Sequence, residues 1–205
     1  MSRTVLLASA STSRYKLLID SGISPLVQVS DVDEGAIEAE LVLSTTSELV
    51  VALATAKGEA VAQNITVTSD SNVLMIAADS MLEFDGVGYG KPGTPEVATQ
   101  RWKAMRGKTG YLHSGHWVKD LVTGEVRTGV AGAFVHFGDV TDAEIADYVA
   151  SGEPLGVAGG FTHEGRSSAF ITRIDGDVAA VAGMSMLLLR ELTRDMGISW
   201  TSLWH

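Results

Sequence analysis

An aspartate directly follows a short, continuous run of apolar residues in the first half of the chain. Residues 73–78 are all apolar, which predicts a fully buried strand, and Asp79 comes next. In α/β sheets ligands gather outside the carboxyl ends of strands, so a carboxylate there can meet a substrate or a metal ion. An acid after a buried strand also caps helices and forms turns, and the residues alone leave both roles open.

A serine-rich turn follows another apolar run, residues 5–8. Ser9, Ser11 and Ser13 lie where the chain enters a predicted helix. The free N–H groups and the dipole of a helix N-terminus attract anions, and Arg14 in the first turn adds a planar fork of donors suited to phosphate. The alternative is that these serines only cap the helix.

Two lysines are further candidates for contact with phosphate. Lys57 lies within the inward apolar stripe of its predicted helix, which Leu53 and Val61 help to mark. It either extends past the edge of the core or reaches from the buried face into a cleft. Lys91 lies in a glycine-rich loop, residues 88–92, where the backbone can approach a ligand closely, although lysines in turns are usually only solvated.

Acidic residues after a third short apolar segment could complete a metal site. Asp33 and Glu34, with Asp79, offer two or three carboxylate oxygens, which suit Mg²⁺ or Mn²⁺ because these ions keep several waters and share substrate phosphates. His113 and His116 make a poor metal pair, since residues three apart on a strand face opposite sides. The chain has no cysteine, which excludes disulfides, thiolate ligands and cysteine nucleophiles.

An α/β framework must position these residues, because predicted helices and strands alternate. The predicted elements are a strand at 5–8, a helix ending at Gly22, a helix capped by Thr45 and Glu48 and running to about Gln63, a strand at 73–78, a helix from Pro95 to Gly107, strands at 111–121 and 126–137, a helix from Thr141 to Gly152, a strand at 169–174 and a helix at 185–196. The hairpin at Thr123 and Gly124 argues against an all-parallel sheet. We therefore predict one domain over residues 1–205, with a mixed, twisted sheet flanked by helices.

Composition narrows the possible partners and the location. The hydrophobic share of 45% and the charged share of 20% are ordinary for a globular protein. A formal net charge of −10 argues against a nucleic acid polymer or an anionic membrane as partner, but not against a small anion bound by a few converging cations. The apolar runs are too short for a membrane span or a signal-peptide core, so we expect a cytoplasmic protein.

Taken in order, eight short segments resemble the Maf (septum formation protein) family over nearly the whole chain. They are LASASTSR at 7–14, VDE at 32–34, ATAK at 54–57, AADS at 77–80, GKP at 90–92, MRGK at 105–108, AGGF at 158–161 and IDGD at 174–177. SGH at 114–116 and AGGFT at 158–162 are similar to the actinobacterial branch. The resemblance implies two lobes with a central cleft, as in inosine triphosphate pyrophosphatases, and a homodimer.

The resemblance also implies an activity, the metal-dependent hydrolysis of nucleoside triphosphates to monophosphate and pyrophosphate. Such an enzyme would clear non-standard or excess nucleotides and could be linked to the arrest of cell division. By position, Asp79 matches the family's proton acceptor. The residues that match those lining its phosphate and metal site are Ser9, Ser11, Arg14, Glu34, Lys57 and Lys91.

The chain departs from the family pattern at several positions. Thr12 stands where proline is usual, Ala180 where asparagine is frequent, and Gly-Met-Ser at 183–185 where Gly-Leu-Pro is common. These departures leave room for a second hypothesis, a nucleotide-binding regulator of septum formation that acts through partner contacts with little turnover.

Three positions sort the family by the base of the substrate, and here they are Ser13, Ser80 and Glu164. Members that act on pyrimidine triphosphates tend to have Arg, Thr and Gln there, and those that act on 7-methyl-GTP tend to have Trp, Gln and Glu. Ser80 is closer to the first pattern, Glu164 to the second and Ser13 to neither. The resemblance therefore leaves the preferred base open.

Overall fold

The structure is a computed structural model that describes residues 3–41, 44–66 and 72–204. Helices and strands alternate along much of the chain. In order they are β1 (Thr4–Leu7), α1 (Thr12–Asp20), β2 (Leu26–Val27), α2 (Glu34–Glu40), α3 (Thr46–Gln63), β3 (Val73–Phe84), β4 (Val87–Tyr89), α4 (Pro95–Met105), β5 (Thr109–Asp120), β6 (Val126–Phe137), α5 (Asp142–Ala150), β7 (Ile171–Gly176), α6 (Val178–Val181) and α7 (Met186–Asp195). No helix in the described ranges has both the length and the apolar character needed to cross a bilayer.

The strands of the described residues form one mixed sheet of seven, in the order β2-β1-β3-β5-β6-β7, with β4 paired to β3. β1 runs parallel to β2 and to β3, whereas the pairs β3–β4 and β6–β7 are antiparallel. Helices flank the sheet, so the predicted fold class is confirmed.

The chain divides into two compact units. The first comprises the described residues of Met1–Asp79, Ser114–Ala131 and Gly183–His205, and the second those of Ser80–His113 and Gly132–Ala182. The long strands β3, β5 and β6 each contribute residues to both units. The central cleft implied by the family resemblance stays a prediction.

The first unit buries both faces of its part of the sheet. Alternate residues of a strand point to opposite faces, so Val5 and Leu7 enter one apolar cluster while Leu6 enters another. Burial on both sides explains why these strands read as continuous apolar runs. Helix α3 contributes Ala54 and Val61 to the cluster that contains Leu6, and this packing brings Lys57 to the same face.

The second unit is built around Trp102 on α4. Its ring makes edge-on contacts with Phe137, Tyr148 and Phe170, at centroid distances of 5.6, 5.3 and 5.8 Å. Its indole N–H donates to the carbonyl of Gly160 at 2.8 Å. The buried polar atom is therefore satisfied, and the helix is fixed to the loop before β7.

One predicted boundary is wrong in a way that matters for the site. The strand expected to end at residue 78 continues to Phe84, because its last residues pair antiparallel with β4 from Leu82 to Phe84. Asp79 and Ser80 therefore lie inside a strand and not beyond its carboxyl end. The sequence does not predict the short elements β2, α2, β4 and α6.

Candidate functional site

A buried lysine lies between two carboxylates in the first unit. Lys57 Nζ is 2.5 Å from Asp79 Oδ1 and 3.0 Å from Glu34 Oε1. Lys57 is 8% exposed and Asp79 is 7% exposed. The lysine therefore does not extend past the core edge into solvent, since its ammonium group is held by an ion-pair network.

Three different elements bring these side chains together. Helix α3 presents Lys57 from its buried face, and β3 presents Asp79 from the sheet. At Gly58 an added Cβ would lie 2.2 Å from Cε3 of Trp117, so only glycine lets α3 come this close to β5. Glu34 is the first residue of α2, whose N-terminus is capped by the Asp33 carboxylate, which accepts from the Ala36 N–H at 3.0 Å.

The serine-rich turn both caps α1 and holds an arginine. Ser11 is the N-cap, and its hydroxyl accepts from the Arg14 N–H at 3.3 Å, while Ser9 Oγ accepts from the Ser11 N–H at 3.2 Å. The Arg14 side chain donates from Nη1 to Ser9 Oγ at 3.1 Å and from Nε to the Gly183 carbonyl at 2.9 Å. The capping role is therefore confirmed, and the guanidinium is held in place beside the cap, while anion binding at this turn stays a prediction. Ser13 lies half-buried in the first turn of α1, and its contact with substrate stays a prediction.

Electrostatic coupling connects the arginine to the ion-pair network. Burial lowers the pKa of the Arg14 guanidinium, and the carboxylates of Asp79 and Glu34 act in the opposite direction. Two cations and two carboxylates of the first unit thus influence one another. Such an arrangement can bind a polyphosphate and hold negative charge that develops on it.

Sequence reasoning missed one acidic neighbour of this network, Glu38. It lies one helical turn after Glu34 on α2, at the spacing that brings side chains to one face. Partial burial raises the pKa of its carboxyl, the charges of Asp79 and Glu34 raise it further, and Lys57 opposes them. The only available signal was the i, i+4 spacing, and α2 itself was not predicted.

The carboxylates fit a divalent cation by their chemistry. Among the described residues, no group of three or more histidine and acidic side chains is gathered into a ready metal site. Asp79 and Glu34 nevertheless already converge on one cation, the Lys57 ammonium. Mg²⁺ is typically bound through one or two carboxylates and completes its shell with waters and substrate phosphates, so this pair offers a sufficient donor set.

The two histidines of β5 have separate partners. His113 Nε2 lies 3.3 Å from Glu83 Oε2 in the second unit. His116 belongs to the first unit, where its two ring nitrogens contact the backbone of Ser185 and Ser114.

Three of the predicted site residues lie in the second unit. Ser80 is half-buried within β3, Lys91 is exposed just after β4, and Glu164 is exposed in the loop before β7. Their contacts with substrate stay predictions.

The loop that carries Lys91 is held by a neighbouring arginine. Arg101 on α4 donates from Nη1 to the Gly90 carbonyl at 2.7 Å, and its guanidinium lies 4.6 Å from the centre of the Tyr89 ring. The backbone next to Lys91 is thus fixed while the lysine side chain remains exposed.

The loop that carries Glu164 is organised by one carboxylate. Glu153 Oε1 accepts from the Thr162 hydroxyl at 2.8 Å, from the Arg166 N–H at 3.0 Å and from the Tyr148 hydroxyl at 3.2 Å. Burial raises the pKa of Glu153, but these hydrogen bonds outweigh it and bring the pKa below its ordinary value. Glu164 lies between two residues that this carboxylate holds.

Comparison with known proteins agrees with the resemblance over the full chain. The sequence model of the family described as Maf-like protein matches residues 4–196. A nucleoside triphosphate pyrophosphatase of Streptomyces coelicolor is 49% identical over 202 residues, covering 98% of this chain and 95% of that protein. Proteins with the same name from Salinispora tropica and Saccharopolyspora erythraea are 44% and 47% identical, covering 98% and 97% of this chain and 87% and 95% of their own lengths. These relatives come from actinobacteria, as the branch resemblance predicted, and the chain belongs to the Maf-like protein family.

Proposed function

We propose that this protein is an enzyme that hydrolyses nucleoside triphosphates between the α and β phosphates, releasing a nucleoside monophosphate and pyrophosphate. One observation carries the proposal: a buried ammonium, Lys57, lies between the carboxylates of Asp79 and Glu34 and is coupled electrostatically to Arg14. The names of the relatives from three actinobacteria support the same reaction.

The carboxylates of the first unit would bind a metal ion, and its cations would bind phosphate. Asp79 and Glu34 would hold a divalent cation, Mg²⁺ or Mn²⁺, which when bound neutralises and polarises the phosphate oxygens. Lys57 is then available to the phosphate chain, because the carboxylates that it pairs with are engaged elsewhere. Arg14 offers the planar fork of donors that suits a phosphate group.

The chemical step is the attack of a water on the α phosphorus. Asp79 orients this water and takes its proton, while the bond from the α phosphorus to the bridging oxygen breaks and pyrophosphate leaves. Negative charge grows on the leaving group and is held by Arg14 and Lys57, with Lys91 as a further candidate. Positioning and electrostatic stabilisation carry most of the rate in phosphoryl transfer, which matches a site made of charged groups.

The test is the release of pyrophosphate from a panel of nucleoside triphosphates, including 7-methyl-GTP, with Mg²⁺ or Mn²⁺. Asp79→Asn keeps the shape of the side chain and removes its charge, so turnover is expected to fall at least about 100-fold. Asp147→Asn, on the exposed face of α5, is the matched control and should leave turnover unchanged. Near-normal release from Asp79→Asn would refute the role of Asp79.

The products of the same assay separate the competing hypotheses. Release of orthophosphate in place of pyrophosphate would indicate a phosphatase. Tight nucleotide binding with little release of either product would favour the regulator of septum formation. A link to cell division, the clearing of non-standard nucleotides, a homodimer and a cytoplasmic location all stay predictions.

A further inference from the structure

His116 is a buried histidine for which the proposed reaction has no role. It lies on β5 and has 0% exposure. Its Nε2 accepts a hydrogen bond from the Ser185 N–H at 2.8 Å, and its Nδ1 is 3.0 Å from the Ser114 carbonyl oxygen. A backbone N–H only donates and a carbonyl oxygen only accepts, so the ring is neutral with its proton on Nδ1. Such a ring has no lone pair left for a metal ion.

Ser185 lies two residues after Gly183, which holds the arginine of the proposed phosphate site. Ser185 caps α7, where its hydroxyl accepts from the Leu188 N–H at 2.9 Å. Two residues earlier, Gly183 has a φ of +112°, which favours glycine, and its carbonyl accepts from Arg14 Nε at 2.9 Å. The segment from Gly183 to Ser185 therefore connects the fixed imidazole of His116 to the guanidinium.

We propose that His116 is a positioning residue for Arg14. By holding the Ser185 amide, the neutral ring fixes the short segment whose Gly183 carbonyl orients the guanidinium. The proposal rests on the proposed function, because Arg14 has this importance only if it binds phosphate. The Ser185 N–H is buried, and His116 is its acceptor.

The test measures the binding of inorganic pyrophosphate with Mg²⁺ to the full chain by calorimetry. His116→Leu leaves the Ser185 N–H without this acceptor, and the Kd is expected to rise roughly tenfold or more as the guanidinium loses its fixed position. His116→Gln offers an oxygen to Ser185 and an N–H to Ser114, so its Kd should stay within about threefold of the unaltered protein. Thr193→Val removes another fully buried polar group of the first unit and should leave the Kd unchanged.

The Arg14→Gln variant shows whether His116 acts through Arg14. In Arg14→Gln the affinity is already weakened, so adding His116→Leu should change the Kd little. An equal loss from His116→Leu with and without Arg14 would overturn the positioning role. The positioning role is also overturned if Arg14→Gln weakens binding and His116→Leu does not. That outcome leaves the proposed function intact. If the unaltered protein neither binds pyrophosphate nor hydrolyses a triphosphate, the proposed function fails and this role fails with it.

A spectroscopic measurement needs no folded leucine variant. In protein labelled with ¹⁵N-histidine, His116 should show a protonated Nδ1 and an unprotonated Nε2, assigned by the signal that disappears in His116→Gln. A proton on Nε2, or on both nitrogens, is incompatible with acceptance from the Ser185 N–H. Either result would overturn the proposal even if every binding measurement agreed with it.

Discussion

Replacing Lys57 with methionine tests the buried ion pair most directly. Methionine keeps an unbranched stem of similar length, so the packing of α3 changes little while the charge disappears. Asp79, at 7% exposure, then keeps its own charge without the ammonium 2.5 Å away. From the sequence we predict a loss of activity with little change in melting temperature. The burial of the pair changes that expectation, because stability should fall as well.

The magnitude follows from the surroundings of the pair. Removing one partner of a buried ion pair costs about 3–5 kcal/mol, since the remaining charge stays poorly solvated. Two features favour the lower end here: the Glu34 side chain is 40% exposed, and Arg14 interacts electrostatically with Asp79. We therefore expect Lys57→Met to cost about 3 kcal/mol. For a chain of this size that corresponds to a fall in melting temperature of roughly 6–12 °C.

The assay is urea denaturation with a chelator present, so that bound metal does not mask the effect. Asp79→Asn removes the carboxylate charge that Lys57→Met leaves without its ammonium partner. The double variant should therefore lose less unfolding free energy than the sum of the two single variants, by at least about 1.5 kcal/mol. Lys16→Met is the matched control: its ion pair with Asp20 is exposed on α1, and the change should stay within about 0.5 kcal/mol. A cost below about 1 kcal/mol for Lys57→Met, with additive behaviour in the double variant, would refute the buried pair.

Three further predictions test the scaffold and the base pocket. Gly58→Ala should destabilise the protein by about 1–3 kcal/mol, because the new Cβ would lie 2.2 Å from Trp117, whereas Gly35→Ala on exposed α2 should not destabilise it. Urea denaturation compares the two variants, and a stabilised Gly58→Ala would contradict the close approach of α3 to β5. Glu153→Gln should cost about 1–3 kcal/mol at pH 7. Because the folded-state pKa of Glu153 is lowered, this difference should shrink as the pH falls below about 4, and a difference that is constant down to pH 3 would exclude the charge. Glu164→Gln should shift the ratio of specificity constants from guanine-type toward pyrimidine triphosphates, since a carboxylate only accepts hydrogen bonds while an amide also donates. An unchanged ratio would mean that Glu164 does not recognise the base.

Local signals in the sequence were sufficient for most helices. The pairs Thr45 with Glu48 and Thr141 with Glu144 form capping boxes at the N-termini of α3 and α5, as their spacing predicts. Helix α2 has no apolar stripe and no buried residue, so periodicity offered nothing to detect. The end of β3 was misplaced because the strand's length depends on its pairing with β4, a contact that local composition does not encode.

For the site, the sequence by itself determined which residues could do chemistry and, for Lys57, on which face of its helix the side chain lies. Helical spacing placed Lys57 on the buried face of α3, and the structure confirms it. The sequence did not determine the partners of these side chains, since Lys57 contacts Asp79 across 22 positions of the chain, and Arg14 contacts Gly183 across 169. A side chain's direction follows from local backbone geometry, whereas its partner depends on the order in which strands pair and helices pack. That order is decided by burial over the whole chain, so only the tertiary structure turned a list of charged residues into an ion-pair network.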